Sequence, residues 1–256
     1  MINVSLDDSR LDCFRSLKGR NALDNDSIVI ESERAIDKFI LVHKKAEVLL
    51  ATPQWLETSS LALNSFTNIL CLPKKEMEQL IGYKYHQGVI AMAKLPTSSS
   101  IDKLTGNCLI LNSVSSPENV GALIRSAAGL GIENVIFDHD TCHPFIRRCI
   151  RVSMGNIFFM KWHHTYNLSG AIKKLQDQSY DVVGGANETD SIFLTLHTWA
   201  HKSAIVIGSE GHGIAKDIRG ACDKLLKIPM KQEVAHLNAA GAGAILMYDC
   251  FRSQLA

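Results

Sequence analysis

Three short segments, well separated along the chain, combine glycines with side chains that could do chemistry. The first, "SSPENVGALIR", carries Asn119 and Arg125. The second, "GSEGHG", places Glu210 among glycines, and the third, "IPMKQEVAHLN", ends on Asn238. Amide, carboxylate and guanidinium groups can orient a substrate and help a proton to leave, and glycines let a ligand approach the backbone. These segments could form one site if the fold brings them together.

Each segment also has a plainer interpretation. In the first, Ser116 and Pro117 are a strong helix start, so Asn119 could simply help to cap the helix and Arg125 could be solvated. A glycine turn with an exposed Glu210 is common. Asn238 is harder to dismiss, because it lies among small apolar residues at the start of a C-terminal helix, where a polar amide must find a partner.

The elements that must position these segments alternate along the second part of the chain. This alternation predicts an α/β domain with a mainly parallel sheet, in which ligands bind at the carboxyl ends of the strands. The loops after Val114, Gly208 and Met230 are therefore the places to look for chemistry. The predicted strands are "CLILNSV", "NVIFD", "NIFFMKW", "YDVVGGA", "SAIVIGSE" and "KLLKIPM", and the predicted helices are "PENVGALIRSAAGLG", "SGAIKKLQDQ" and the C-terminal segment.

The first part of the chain has its own pattern. Strands "SIVIES", "EVLLAT" and "GVIAMAKL" accompany a helix "ERAIDKFILVHK". A Pro/Ser/Thr-rich break, "PTSSSIDKLTGN", follows and predicts a linker. We therefore expect a small α/β domain at 1–95, a linker at 96–104 and a second domain at 105–256. A fragment beginning near Thr105 should then fold on its own.

Composition bounds the class of protein. Lys and Arg number 27 and Asp and Glu 26, so nucleic acid could be bound only through local clusters. Seven scattered cysteines and the absence of a signal-like or membrane-spanning run lead us to expect a cytoplasmic protein with no membrane partner. The glycine spacings match neither the nucleoside triphosphate nor the dinucleotide pattern. The stretch "HDTCHPFIRRC" has no usual zinc spacing, so we expect no metal.

Taken together, the three segments resemble the motifs of the SpoU-type RNA ribose 2′-O-methyltransferases, within the knotted SPOUT (TrmH-like) superfamily. The motif N-x-G-x-x-x-R appears as Asn119, Gly121 and Arg125. The motif G-x-E-G-x-G runs from Gly208 to Gly213, and I-P-M is followed by a helix that starts on Leu-Asn. The resemblance covers about residues 105 to 256.

The resemblance implies a fold, a cofactor and partners. The fold is a mainly parallel α/β catalytic domain with a deep trefoil knot, preceded by a small α/β substrate-binding domain. The cofactor is S-adenosyl-L-methionine, the substrate is rRNA or tRNA rather than DNA, and the protein is a homodimer. The implied donor-binding residues are Gly208, Gly211, Ile228, Met230, His236 and Leu237.

The implied catalytic residues are Asn119, Arg125, Glu210 and Asn238. Arg125 is often written as the base in this family, but a neutral guanidine is scarce, so anchoring a phosphate or stabilising an alkoxide is the easier role. Glu210 could orient Arg125 or act through water. His236 stands where the family usually has serine. It could accept the proton, or it could leave an impaired protein that only binds RNA.

The first domain resembles, more loosely, the substrate-binding domain that often precedes this catalytic domain, although the glycine usual after its glutamate is Ser32 here. Similar folds bind RNA in ribosomal proteins. The candidate RNA contacts are Arg15, Lys18 and Arg20 near the start of the chain, and Arg147, Arg148 and Arg151 in the second part.

Overall fold

The computed structural model describes residues 2–18, 23, 26–231 and 237–255. The chain divides into two compact units, Met1–Pro96 with His143–Phe158, and Thr97–Cys142 with Phe159–Ala256. The predicted division differs at 143–158, which sequence analysis assigned to the catalytic part. In the described part of the chain, no helix is long and apolar enough to cross a membrane.

The helices and strands of the described residues are as follows. The strands are β1 (Ile2–Asn3), β2 (Ser27–Glu31), β3 (Ala46–Ala51), β4 (Phe66–Cys71), β5 (Val89–Lys94), β6 (Asn107–Asn112), β7 (Ile132–Asp138), β8 (Lys161–Thr165), β9 (Asp181–Gly185), β10 (Ile192–Phe193), β11 (Ser203–Gly208) and β12 (Lys224–Lys227). The α-helices are α1 (Glu33–His43), α2 (Pro53–Thr58), α3 (Lys74–Ile81), α4 (Pro117–Gly129), α5 (Arg147–Val152), α6 (Leu168–Asp177), α7 (Lys216–Ala221) and α8 (Ala239–Gln254).

The first unit is built on a mixed sheet with the strand order β1-β4-β3-β5-β2. β3 pairs with β4 in parallel and with β5 in antiparallel fashion. The amphipathic pattern of α1 is confirmed, since its apolar side chains Ala35, Ile36, Phe39 and Ile40 are buried. Sequence analysis missed β4, α2 and α3, because their apolar runs are short and α3 is strongly polar on its outer side.

Segment 143–158 is held in the first unit by packing and by charge. The rings of Phe39 and Phe158 meet edge to face with centroids 5.0 Å apart, and Gly155 packs so closely on Ala35 that a Cβ would lie 3.0 Å from its Cα. Phe145 and Ile150 are also buried. A fragment that begins near Thr105 would lack the partners of these side chains in the first unit and would expose them to solvent, which would destabilise it.

A buried ion pair reinforces this packing. Glu31 is 2% exposed and accepts hydrogen bonds from Tyr83 Oη and, at 2.9 Å, from Arg147 Nη1. Arg147 Nη2 also donates to the carbonyl of Leu17 at 2.7 Å. Burial raises the pKa of Tyr83, with a further contribution from Glu31, so the phenol stays protonated and donates. Losing either charge would leave the other buried without its partner, which is strongly destabilising.

Ser32, between β2 and α1, has φ 81° and ψ 140°, a backbone region that favours glycine. Its hydroxyl makes no capping hydrogen bond to the helix. We therefore expect Ser32→Gly to raise the free energy of unfolding by about 1 kcal/mol, because strain of ~1–3 kcal/mol exceeds the entropic cost of glycine. Urea denaturation measures this. Ser126→Gly, inside α4, is the matched control and should lower stability by about 0.5–1 kcal/mol. A loss of stability in both variants would contradict the assignment of strain.

The second unit confirms the predicted mainly parallel sheet. Its strand order is β10-β12-β9-β11-β6-β7-β8, and every neighbouring pair is parallel. β6 and β11 read as continuous apolar runs because both are buried. The trefoil knot stays a prediction.

The helices that carry the first and third segments pack against each other. α4 buries Val120, Leu123, Ile124 and Ala127, and full burial of each leucine or isoleucine contributes about 2 kcal/mol. Gly243 of α8 lies so close to Leu123 that a Cβ would overlap its side chain. This close approach brings the start of α4 and the start of α8 to the same place.

One predicted strand is wrong in its first half. "NIFFMKW" was expected to be continuous, but Asn156–Phe159 is a 3-10 helix and β8 begins at Lys161. Gly155 precedes it with φ 73°, and Phe158 N–H donates to the Gly155 carbonyl at 3.2 Å, so the backbone turns rather than extends. The apolar residues of this stretch serve the packing of segment 143–158 instead of a strand.

Candidate active site

The carboxyl ends of β6 and β11 are neighbours in the second unit. Gly208, the last residue of β11, is paired with Asn112, the last residue of β6. The loop that leads into α4 and the glycine loop after β11 therefore start side by side. The start of α8 joins them through its packing on α4, so the predicted meeting of the three segments is confirmed by the fold.

A chain of side-chain hydrogen bonds links the three segments. Asn238 caps α8, its Oδ1 accepting from Ala240 N at 2.8 Å, and its Nδ2 donates to Asn119 Oδ1 at 3.0 Å. Asn119 Nδ2 in turn donates to Glu210 Oε1. Asn238 is thus both a cap and a link. The amide that sequence analysis singled out among apolar residues holds Asn119, and Asn119 orients the carboxylate of Glu210.

Asn119 is placed by the start of α4. Ser116 is the N-cap and its Oγ accepts from Asn119 N at 3.3 Å, and Pro117 occupies the first turn. The acceptor side chain satisfies one of the free N–H groups of the helix start, which fixes where the first turn begins. The cap is therefore Ser116 and not the side chain of Asn119, which is directed at the other two segments.

A second group of polar side chains, which sequence analysis missed, holds the loop after β6 and the end of the glycine loop in place. Buried Asp138, at the end of β7, accepts from Ser113 N at 3.0 Å, Asn112 Nδ2 at 2.7 Å and Thr141 Oγ1 at 2.7 Å. Asn112 Oδ1 accepts from Ala215 N at 2.7 Å, beyond the glycine loop. The sequence did contain a signal for this group: Asn112 and Asp138 each end an apolar strand, and buried polar groups need hydrogen-bond partners.

A cavity of about 310 Å³ opens beside these hydrogen-bonded side chains, at the lower end of the size range of ligand sites. The predicted donor-binding residues Gly208, Gly211, Ile228, Met230 and Leu237 all line it. His236 lies outside the described residues. Glycines and apolar side chains dominate the wall, which suits a flat, partly apolar ligand held by backbone groups.

The cavity also includes the loop after β9, which sequence analysis did not assign to the site. Gly185, Ala186, Asn187 and Glu188 line it, and Glu188 is ion-paired with Arg219. A Cβ at Gly185 would lie 2.6 Å from Leu246 Cδ1, so packing against α8 explains that glycine. The sequence signal for this part of the cavity was the run Gly184, Gly185 and Ala186 at the carboxyl end of a parallel strand, where ligands often bind.

Gly208 and Gly211, both in the second segment, differ in whether the protein around them leaves room for a side chain. A Cβ at Gly208 would overlap the backbone of Gly213 and Ile214, so the turn itself forbids a side chain. At Gly211 a Cβ would find no protein atom within 4 Å, and its φ lies outside the glycine-favouring positive range. Protein packing does not require glycine at position 211, and because Gly211 lines the cavity, a side chain there would take up space that a ligand could use. This is the observation on which the fit of a donor molecule rests.

Arg125 stands apart from these groups. It is exposed on α4, six residues after Asn119, and makes no ion pair with any described residue. Glu210 is hydrogen-bonded to Asn119 rather than to Arg125. The suggested orientation of Arg125 by Glu210 is therefore not found among the described residues.

A comparison with known protein families decides the interpretation of this geometry. A family model described as the SpoU rRNA Methylase family matches residues 106–248, which contain all three segments. The chain belongs to this family. The matched range, which we call the SpoU segment, includes the residues that line the cavity and the linked side chains of Asn119, Glu210 and Asn238.

Relatives of the whole chain agree with this membership. The 23S rRNA (guanosine-2′-O-)-methyltransferase RlmB of Vibrio vulnificus is 30% identical over 235 residues, covering 88% of this chain and 92% of RlmB. The AdoMet-bound rRNA methyltransferase of Sinorhizobium meliloti superposes with a TM-score of 0.84 at 20% identity, covering 100% and 99% of the two chains. The SpoU methyltransferase AviRb of Streptomyces viridochromogenes, in complex with AdoMet, gives 0.82 at 18%, covering 97% and 99%. These two structures establish the fold.

The basic residues predicted to contact RNA in this SpoU protein fall into different situations. Arg15 pairs with Asp12 at 2.7 Å, and Lys18 is exposed. Arg20 lies outside the described residues. Arg148 is exposed, and half-exposed Arg151 lies 3.6 Å from Glu31.

Arg147 is a correction to this set. Its side chain is only 16% exposed, and its guanidinium is engaged by the carboxylate of Glu31 and the carbonyl of Leu17. Its charge is therefore used in holding segment 143–158 to the first unit, and it is not a free contact for RNA. Among the described residues, no group of three His, Cys, Asp or Glu side chains could hold a metal ion.

The two tasks of Asn238 in the SpoU segment can be separated by substitution. Asn238→Asp keeps a capping oxygen but loses the NH₂ donor to Asn119, so we expect unchanged stability and methyl transfer slowed more than about tenfold. Asn238→Ala should additionally lose about 1 kcal/mol of stability. Thermal unfolding and tritium transfer from labelled donor measure both. Full activity in Asn238→Asp would show that the link to Asn119 has no part in the reaction.

Proposed function

We propose that this protein transfers the methyl group of S-adenosyl-L-methionine to a ribose 2′-hydroxyl of ribosomal RNA. The observation that carries the proposal is the series of hydrogen bonds from Asn238 through Asn119 to Glu210, which joins the three family segments beside the cavity. The name of the Vibrio vulnificus relative supports ribosomal RNA as the substrate class. None of the described residues favours the alternative of an impaired RNA-binding protein.

The donor would be held by the cavity wall. Ile228, Met230, Leu237 and Leu246 offer apolar contact for its adenine, and the glycine loop offers backbone N–H and C=O groups. When bound, the donor supplies an already activated sulfonium methyl group, so no metal is needed for leaving-group activation. Gly211 leaves the space that such a ligand requires.

The task left to the side chains is to position a ribose hydroxyl and to manage its proton. Glu210, oriented by Asn119, is a hydrogen-bond acceptor at the carboxyl edge of the sheet and can accept from the hydroxyl directly or through water. The planar guanidinium of Arg125 can bind the neighbouring phosphate and stabilise negative charge that develops on the hydroxyl oxygen.

RNA binding outside the reacting nucleotide is assigned to Arg15, Lys18, Arg148 and Arg151. All four are partly or fully exposed. Their contribution should be phosphate contact, which weakens as salt concentration rises.

A homodimer is part of the proposal. α8 leaves Ile245 and Tyr248 exposed three residues apart, and such an apolar face on a helix suits a second copy of the chain. No disulfide joins any of the seven cysteines, which all lie in the described part of the chain, and reduced thiols suit a cytoplasmic site of action. Sedimentation of the intact chain tests the dimer, and a monomer at micromolar concentration would contradict it.

The proposed substrate is tested with RNA from a strain that lacks the gene. Purified protein and tritiated donor should label its ribosomal RNA and leave ribosomal RNA from the parent strain unlabelled, because the site there is already methylated. Transfer RNA from the same deletion strain is the matched acceptor. Labelling of transfer RNA instead would move the substrate to that class, and labelling of neither would contradict the proposal.

A further inference from the structure

The second unit carries a ladder of aromatic rings at one end of its sheet. Phe137 of β7 is paired with His164 of β8, the last strand, and their ring centroids lie 5.2 Å apart. His164 contacts Tyr166 edge to face at 5.1 Å, and Tyr166 stacks on His139 at 5.4 Å with an angle of 27°. Trp162 closes the inner end, 6.0 Å from Phe137.

The ladder runs from the core to solvent. Phe137 and Trp162 are buried, whereas Tyr166 is 82% exposed, the highest value among the large hydrophobic residues at the surface of the described chain. Burial lowers the pKa of His164, with help from the charges of His139 and His163, which favours the neutral form of the ring that lies against Tyr166. Tyr166 therefore has one face supported by imidazole and the other face open to a partner.

The position of the ladder links it to the candidate active site. His139 and Tyr166 directly follow the carboxyl ends of β7 and β8, the same edge of the sheet that bears Asn119 and Glu210. β8 is two strands from β6 and three from β11, so about 10 to 15 Å separate the strand ends. That span is covered by a few nucleotides of one RNA strand.

We propose that Tyr166, supported by His139 and His164, is a stacking platform for an unpaired nucleobase of the RNA, a few nucleotides from the methylated ribose. The inference rests on the proposed function for the identity of the partner. Unstacked bases of single-stranded RNA stack on aromatic side chains with little regard to sequence, and a preformed, supported ring loses little entropy when it binds.

The experiment uses the full chain and a short fluorescein-labelled oligoadenylate, with a duplex RNA of the same length as the second probe. Tyr166→Ala and Tyr166→Leu should weaken binding of the single strand by about fivefold to 150-fold, and Tyr166→Phe should keep it. Binding of the duplex should not change. Leu196→Ala is the matched control, because Leu196 is also highly exposed, at 75%, but follows β10 at the opposite end of the sheet.

Other readouts separate this proposal from the proposed function. Binding of S-adenosyl-L-methionine, followed by calorimetry, should be the same in all variants. If Tyr166→Ala binds oligoadenylate as well as the intact chain, or if the intact chain does not bind it, the platform is wrong even where methyl transfer is observed. A change of sedimentation in Tyr166→Ala with unchanged RNA binding also overturns it, in favour of a protein interface. Loss of methyl transfer with intact stacking would refute only the proposed reaction.

Discussion

Arg125→Ala should lose methyl transfer by about 100-fold to 1,000-fold while the protein keeps its fold and binds donor within a few-fold of the intact chain. Arg125 is exposed and pairs with no described residue, so its removal breaks no ion pair among the described residues. The donor cavity is lined by other residues. The substitution should therefore lower the rate of methyl transfer to RNA and leave stability and donor binding almost unchanged. Calorimetry with donor and tritium transfer to ribosomal RNA measure the two parts.

Two further variants sharpen this result. Arg125→Lys keeps the charge but not the planar fork, so it should fall between the intact chain and Arg125→Ala if phosphate is bound bidentately. Arg252→Ala removes another exposed guanidinium, near the end of α8, and should leave the rate unchanged. Methyl transfer by Arg125→Ala within tenfold of the intact chain would remove Arg125 from the chemistry.

Gly208→Ala should lose stability, whereas Gly211→Ala should lose donor affinity without losing stability. At Gly208 the added Cβ would overlap the backbone of the same turn, so we expect a loss of about 3 kcal/mol of stability and loss of donor binding with it. At Gly211 the Cβ meets no protein atom, so stability should stay the same or rise by about 0.5 kcal/mol, and donor affinity alone should fall about tenfold.

Urea denaturation and calorimetry with donor separate the two glycines. Gly220→Ala, at a helical position where a Cβ also meets nothing within 4 Å, is the control for Gly211→Ala and should bind donor normally. Normal donor affinity in Gly211→Ala would mean that this glycine leaves no space for a ligand. Normal stability in Gly208→Ala would contradict the tight turn.

Local signals made much of the catalytic fold predictable. Ser116 and Pro117 marked the start of α4 to the residue, because a capping oxygen and a proline without an N–H suit that position alone. The alternation of strands and helices gave the parallel sheet. A polar amide among small apolar residues predicted that Asn238 would need a hydrogen-bond partner, and the structure shows that the partner is Asn119.

What escaped prediction depends on contacts between residues far apart in sequence. Segment 143–158 belongs to the first unit because Glu31 and Phe39 lie there, more than 100 positions away, and its basic run offered no sign of that. The same distance hid the role of Arg147 as the partner of a buried carboxylate. Asp138 was not predicted either, since its partners Asn112 and Ser113 reach it only when β6 and β7 pair.

The chemical position of the transferred methyl group tests the central claim most directly. Ribosomal RNA labelled by the protein with tritiated donor is hydrolysed completely in alkali, which cleaves RNA only where a free 2′-hydroxyl can attack the neighbouring phosphate. Methylation of a ribose 2′-oxygen predicts that all label is recovered in alkali-resistant dinucleotides, and that Asn119→Ala and Arg125→Ala yield almost none. Label recovered in mononucleotides would place the methyl group on a base and would contradict the account.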